Sequence, residues 1–411
     1  MGWFGNLLDK ISIKRITGRY MDINGGTPIF SQFGQDIYAS DVVQQAVSCI
    51  AQEMKKLRPA HIRDDGTGVY AVKKGDIAKI LNKPNQFQTT ADFLENITTL
   101  LFLNYNVFII PTYYEWYDDN SQYHKVYDGL YPIVPTQVDF IEDAAGQMYT
   151  KFTFENGKSY LINYRDVIHW KFRNSSNLLM GGDKSGRPNH NALLQTLALN
   201  HELLQGVSKA MKATYAVNAV VKIPTVMGKE KSENAIKELN EKLKNSESGL
   251  AAIDMKAEYI PIKKEVKLVD KDTLEFIDQK ILRTFGVPLP ILIGDYTKAQ
   301  YEAFYQKTIE PLIISLSQVL TDKLLSDGER SHGNMIKLYP KELIFMSMSE
   351  TLEMIRLVGD SGGLYENEKR TALGLMPLEE LNGVRMQSLN YANVEIAGKY
   401  QLGKVDGKKE A

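Results

Sequence analysis

Residues 270–325 constrain this chain more than any other stretch, because they read as two amphipathic helices on either side of a joint that cannot be helical. Leu274, Ile277, Ile281, Leu282 and Phe285 fall at helical spacing, and Asp272 followed three residues later by Glu275 reads as a capping box. The pattern predicts a helix starting near Thr273 and stopped by Gly286. Pro288 and Pro290 lack a backbone N–H and fix φ, which predicts a short, stiff apolar loop over 286–296. A second helix is predicted from near Ala299, with Phe304, Ile309, Leu312, Ile313, Leu316, Val319, Leu320 and Leu324 along one face. Pro311 interrupts that face. It removes the bond to the carbonyl of Lys307, so a kink or step is expected there.

A chain of 411 residues with 43% hydrophobic and 24% charged content is ordinary globular material, long enough for about two to three domains. The formal net charge of −1 calls for no nucleic acid, anionic membrane or acidic substrate as a tight partner. Cys49, the single cysteine, excludes an intrachain disulfide and a multi-cysteine metal site, and suits a reducing cytoplasm. No apolar run reaches the roughly 18 residues of a spanning helix, so no membrane partner is expected. In segment 1–19, Trp3, Phe4, Leu7, Leu8 and Ile11 fall at helical spacing with basic residues after them, the reverse of a signal peptide. It reads as a docking arm, with a membrane-surface helix as the alternative.

Residues 20–38 read as a linker. Asp41, beside Ser40, can cap a helix whose apolar face runs from Val42 to Leu57, and a strand is predicted over 59–63. In Leu81-Asn82-Lys83-Pro84-Asn85-Gln86-Phe87-Gln88-Thr89, Pro84-Asn85 makes a turn and Thr89 or Thr90 caps a helix over 91–103. Short strands follow over 107–113, 129–133, 137–141, 148–154 and 167–170. Tyr113, Tyr114, Trp116 and Tyr117 beside Asp118 and Asp119 make the best candidate for a carbohydrate or acid/base site, though adjacent carboxylates at a hairpin tip read more simply as a solvated turn. His169 has no partner at metal-ligand spacing and reads as a packed or backbone-bonded residue. Gly181-Gly182-Asp183-Lys184-Ser185-Gly186 lacks the spacing of a phosphate loop, since Asp183 separates the glycines from Lys184 and Arg187-Pro188 follow.

A long helix is predicted over 191–216. Residues 219–267 then carry ten Lys against eight Asp/Glu, with strands over 220–223, 250–254 and 257–262 and a highly charged helix over 230–244. After the second helix of the joint, 327–333 reads as a polar loop, 335–339 as a strand and 349–358 as a helix.

The order of these features resembles the portal proteins of tailed bacteriophages. The match lies in Phe285-Gly286-Val287-Pro288, then Ile309-Glu310-Pro311-Leu312; in the 81–89 motif, similar to the family's LNxPNxxQT; in Asp166-Val167-Ile168-His169; and in Gly362-Gly363-Leu364-Tyr365-Glu366-Asn367-Glu368-Lys369-Arg370, similar to GxxTxNExR with Tyr365 for the commoner Thr. Asn104-Tyr105-Asn106 stands where many members have Gly-Asn-Ala, which departs from the pattern at the glycine.

The resemblance implies an α+β, portal-type ring subunit with an α/β wing, a helical stem, a small α/β clip and a helical crown. The expected divisions are an N-terminal arm and linker (1–38), wing (39–188 and 299–342), stem helices (189–217 and 270–286), clip (218–269), tunnel loop (287–298), crown (343–397) and tail (398–411). It implies a dodecameric conduit for double-stranded DNA at one capsid vertex, contacted without regard to sequence, with no catalytic residue, metal or cofactor. Leu289, Ile291, Leu292, Ile293, Tyr296, Thr297 and Lys298 become the channel-facing residues, with Pro288, Pro290 and Pro311 as hinges. Lys229, Lys231, Lys237, Lys242 and Lys244 of the clip become the docking residues for the terminase large subunit and the neck or adaptor protein. Major capsid and scaffolding proteins are the other implied partners, the location being the virion and, during assembly, the host cytoplasm. The rival readings are a non-channel adaptor or scaffold, and a carbohydrate-active enzyme.

Overall fold

The computed structural model describes residues 8, 11–12, 18–20, 40–66, 68–117, 123–173, 178–182, 191–215, 219–222, 237, 258–261, 271–340, 348–373 and 375–386. The chain divides into two compact units, one of residues 1–189 with 285–411 and one of residues 190–284. Among the described residues helices accompany sheets whose strands all pair antiparallel, in keeping with the α+β class.

In the larger unit, strand β1 (Gly18–Tyr20) precedes helix α1 (Asp41–Met54), which buries Val43, Ala46, Val47, Ile50, Ala51 and Met54. Ser40 holds the N-cap position without a side-chain bond, and Asp41 accepts the N–H of Val42 at 2.8 Å instead. Next come β2 (Arg58–Asp64), β3 (Val69–Ala71) and α2 (Asp76–Asn82). Neither β3 nor α2 is anticipated by the sequence reading. The strand is three exposed residues, and α2 is a bare seven, too short to display a period. Helix α3 (Thr90–Asn104) opens on a capping box in which Thr89 and Asp92 bond each other's backbone N–H. It closes on Tyr105 at φ 56°. The left-handed residue is therefore Tyr105, while Asn104 is still helical and has no need to be glycine.

Strands β4 (Asn106–Tyr117) and β5 (Tyr123–Ile133) are longer than their apolar cores suggest. They are followed by β6 (Gln137–Asp143), β7 (Met148–Thr153), β8 (Ser159–Asn163) and β9 (Ile168–Lys171). One sheet runs β5-β4-β9 and another β1-β6-β7-β8. Between them Phe108, Ile110, Val138, Phe140, Phe152 and Ile162 form a buried cluster that also takes Leu8. Each such side chain contributes roughly 1.5–3 kcal/mol on leaving water. Leu8 is 2% exposed, and Ser12 Oγ accepts the N–H of Leu161 at 3.1 Å, so the described part of the arm docks on its own chain.

The Pro84-Asn85 motif works as a clamp. Asn85 accepts the N–H groups of Phe87 and Gln88, both at 2.9 Å, and donates to the carbonyl of Leu130 at 2.9 Å, while the Pro84 carbonyl accepts the Leu130 N–H at 2.6 Å. The turn thereby covers the outer edge of β5.

In the smaller unit, α4 (Asn191–Tyr215) precedes β10 (Ala219–Lys222), which pairs antiparallel with β11 (Glu258–Pro261). Helix α5 (Lys271–Phe285) ends in the larger unit. Asn200 donates to Asp278 at 3.5 Å. The capping box expected at Asp272 does not form: α5 already begins at Lys271, so Asp272 lies in the first turn and Glu275 pairs with Lys271 at 3.3 Å. The predicted strand 250–254 and all of the predicted helix 230–244 except Lys237 lie outside the described residues.

Beyond the joint come α6 (Leu289–Ile293), α7 (Lys298–Phe304), a π-helical turn (Tyr305–Ile309) and α8 (Glu310–Leu324). Trp170 Nε1 donates to Ser315 Oγ at 3.1 Å, Ser317 Oγ donates to the Ile336 carbonyl at 2.6 Å, and Thr321 Oγ1 accepts the Ile336 N–H at 2.9 Å. These bonds fasten α8 to β9 and to β12 (Asn334–Tyr339), the outer strand of the β12-β2-β3 sheet. Residues 327–333 are not simply a polar loop. They contain α9 (Asp327–Ser331), started by a Ser326–Glu329 capping box.

The C-terminal part has α10 (Met348–Asp360) and α11 (Glu366–Ala372). Glu368 accepts the N–H of Tyr365 at 2.8 Å, Asn367 takes both backbone groups of Leu378, and Arg370 donates to the Met376 carbonyl. Asn367 and Arg370 thus fold the following segment back on α11, while Glu368 caps the start of the helix.

Candidate functional site

Segment 287–298 is a helical turn between two stops. Gly286, at φ +75°, ends α5 in a conformation that favours glycine, and a Cβ there would meet Thr308 Oγ1 at 2.7 Å. Pro288 is extended at φ −73°, ψ 144° and occupies the N-cap position of α6. The expected continuous loop is corrected here: Pro290 stands in the first turn of α6, where its missing N–H has no helical partner to lose. Gly294, at φ 80°, closes the turn.

Thr297, expected as a polar channel contact, caps α7. Its hydroxyl accepts the Gln300 N–H at 3.3 Å and its own N–H donates to Gln300 Oε1 at 2.8 Å. The kink or step expected at Pro311 takes the form of a π turn. Pro311 lies in the first turn of α8, and the wider π turn Tyr305–Ile309 precedes it, absorbing the bond that a proline cannot make.

Ile291 is buried, Leu289, Pro290 and Leu292 are half-buried, and Ile293 and Tyr296 are 64% and 45% exposed. Thr297 and Lys298 are exposed. Ile291, Leu292, Tyr296 and Tyr301 face Gln44, Ser48, Cys49 and Glu53 of α1 across an open cleft of about 640 Å³. Tyr301 donates to Glu53 Oε2 at 2.5 Å, and Lys56 pairs with the other oxygen of Glu53 at 2.6 Å. Burial, and then the bond to Glu53, raise the Tyr301 hydroxyl far above the ordinary phenol range. Burial first and the Glu53 charge second push the Cys49 thiol up to about 11, so it is protonated at neutral pH.

Thr308, in the π turn, donates to the Gly286 carbonyl at 2.8 Å. Thr308, Tyr301 and Glu53 were not legible as partners, because contacts spanning 22 and 248 positions leave no local pattern. Thr297-x-x-Gln300 did carry the signal of a helix start.

Of the clip lysines, Lys237 is an exposed helical residue, while Lys229, Lys231, Lys242 and Lys244 lie outside the described residues. The aromatic ribbon exposes Tyr114, Trp116 and Tyr117, and Asp118 and Asp119 lie outside the described residues. His169 is buried between two side chains, Asn106 and Tyr164, and bonds no backbone group through its ring in these contacts. Gly181 sits where a Cβ would strike the carbonyl oxygens of Phe172 and Tyr105, the latter at 2.5 Å, which accounts for this glycine by packing. Among the described residues no helix is long and apolar enough to cross a membrane, and no group of three or more His, Cys, Asp or Glu is placed to hold a metal.

Residues 41–374 match the family model described as phage portal protein. Proteins described as "Probable portal protein" from Lactococcus phage p2 and Lactococcus phage SK1 are each 28% identical over 197 residues, covering 44% of this chain and 51% of theirs. The chain thus spans about half the length of these curated relatives. A chain of the structure "Neck of native GTA particle computed with C12 symmetry" superposes with a TM-score of 0.57 at 18% identity, covering 86% of this chain and 97% of that one. A chain of "Virion of native gene transfer agent (GTA) particle" gives 0.56 at 19%, covering 83% and 92%. At these identities the superpositions speak for the fold. With a family model spanning 41–374 and the fold of particle-neck chains, this chain belongs to the phage portal protein family.

Proposed function

We propose that the chain is the subunit of a dodecameric ring at one capsid vertex, through which double-stranded DNA passes during packaging and ejection. The observation that carries the reading is segment 287–298 itself. Two prolines, a left-handed glycine and a capping box stiffen it, yet it leaves Ile293 mostly exposed and Tyr296, packed on Tyr301, nearly half exposed. A rigid, exposed, weakly polar loop on a family member of this kind suits the wall of a channel. The polymer must slide along it, because tight phosphate contacts would arrest DNA through counterion release.

On this reading the clip, residues 218–269, supplies the surface that meets the terminase large subunit and later a neck or adaptor protein, with Lys229, Lys231, Lys237, Lys242 and Lys244 as the charged contacts. Capsid and scaffolding proteins meet the ring during assembly in the host cytoplasm, and the mature location is the virion. The ring is a passive conduit, so ATP turnover belongs to a separate motor.

Shortening the loop between Pro290 and Lys298 tests the assignment. Ring assembly is expected to survive while packaging or DNA retention falls. Normal packaging by intact shortened rings contradicts the channel-lining role, and loss of folding makes the segment core structure instead.

A further inference from the structure

Helices α7 and α8 flank one π turn but are fastened to different elements of the larger unit. Helix α8 is bolted to β9 and β12 through Ser315, Ser317 and Thr321. Helix α7 reaches α1 through Tyr301, and segment 287–298 lies between α5 and α7 with Val287 buried at its entrance, Ile291 buried in its middle turn and residues 293–298 exposed. Beneath its later part the cleft against α1 is open, so apolar packing alone leaves residues 292–298 loosely located.

Two hydroxyls supply the missing constraints. Thr308 holds the Gly286 carbonyl at the segment's entrance, and Tyr301 holds Glu53 just beyond its exit. We propose that the hydroxyls of Tyr301 and Thr308 are positioning groups that seat segment 287–298 over α1, so that the winding of the π turn decides where Ile293 and Tyr296 stand. A π turn carries one residue more than an α turn, and relaxing it to α would rotate Thr308 away from Gly286 and draw Tyr301 off Glu53. The consequence for DNA rests on the channel-lining reading; the seating itself does not.

Cys49 is a built-in reporter, since it is the only thiol of the chain and lies half-buried in the cleft beneath the segment. The test uses the full chain and compares thiol-modification rates across pH with hydrogen exchange resolved by peptide. Tyr301→Phe keeps the ring and the charge balance, and is expected to speed Cys49 modification about tenfold at every pH, the population shift set by losing one hydrogen bond to a charged group. Thr308→Val is expected to give about threefold, as for a neutral bond.

In both variants amides of 289–304 exchange faster while those of 312–324 do not change. Glu53→Gln keeps an acceptor oxygen for Tyr301 but not its charge, and is expected to raise exchange over 289–304 less than Tyr301→Phe does. Unchanged modification and exchange in Tyr301→Phe overturn the proposal, as does an equal rise over 312–324, which marks general loosening. Packaging is a separate arm: a released segment that packages DNA normally contradicts the channel reading and leaves the seating supported.

Discussion

His169 donates its Nε2 proton to Asn106 Oδ1 across 3.0 Å, and this bond fixes the tautomer of a wholly buried imidazole. The Asn106 amide cannot be reversed, because its Oδ1 also accepts the Gly181 N–H at 2.7 Å while its Nδ2 donates to the Gly181 carbonyl at 3.1 Å. The Nδ1 of His169 is therefore the acceptor, and Tyr164 donates to it at 3.2 Å. Phe108 stacks on the ring at 4.2 Å.

This arrangement makes stability depend on pH in a known direction. Burial, and after it the charges of Lys171 and Lys323, hold the His169 pKa well below the ordinary imidazole value. The folded protein therefore binds no proton at His169 where the unfolded chain already does. Stability from this group is fully present above about pH 6.5 and is lost as pH falls below it, by about 1.4 kcal/mol per pH unit. Urea unfolding at fixed protein concentration is expected to show that slope, and His169→Gln is expected to lower stability at pH 7.5 and flatten the slope.

Gly181→Ala is expected to be among the most damaging small substitutions in the chain. Its methyl group would meet two backbone carbonyl oxygens, those of Phe172 and Tyr105, and neither can turn aside. A cost of about 3 kcal/mol or more follows from overpacking plus a disturbed Asn106 bond. Thermal unfolding checks it, with Gly206→Ala as the control, since a Cβ there meets nothing within 4 Å.

DNA contact is expected to be weak and indifferent to sequence. With 49 Lys and Arg against 50 Asp and Glu, the chain has no general excess of positive charge for gripping phosphates. The slope of log affinity against log salt should correspond to fewer than about three neutralised phosphates per subunit. Fluorescence anisotropy with two unrelated duplexes over a salt series measures both properties. A steep slope or a preferred sequence contradicts a sliding contact.

The sequence makes the helices and their stops legible wherever a local rule decides the outcome. Thr89 caps α3, Gly286 ends α5, and the apolar faces of α1 and α8 bury the side chains that their periodicity marks. It misleads where two local rules compete. Asp272-x-x-Glu275 has the form of a cap, yet an earlier helix start turns it into first-turn charge; at Pro311 the interruption is legible, though not that a π turn makes it. The supports of segment 287–298 are illegible for a different reason. Glu53 and Tyr301 are ordinary surface residue types until the fold brings them within 2.5 Å.

Electron microscopy of the purified full-length chain tests the central claim most directly. The account predicts closed rings with an axial channel whose narrowest part is lined by residues 287–298, with Ile293 and Tyr296 toward the axis. Monomers at micromolar concentration, or rings in which that segment faces away from the channel, would contradict it.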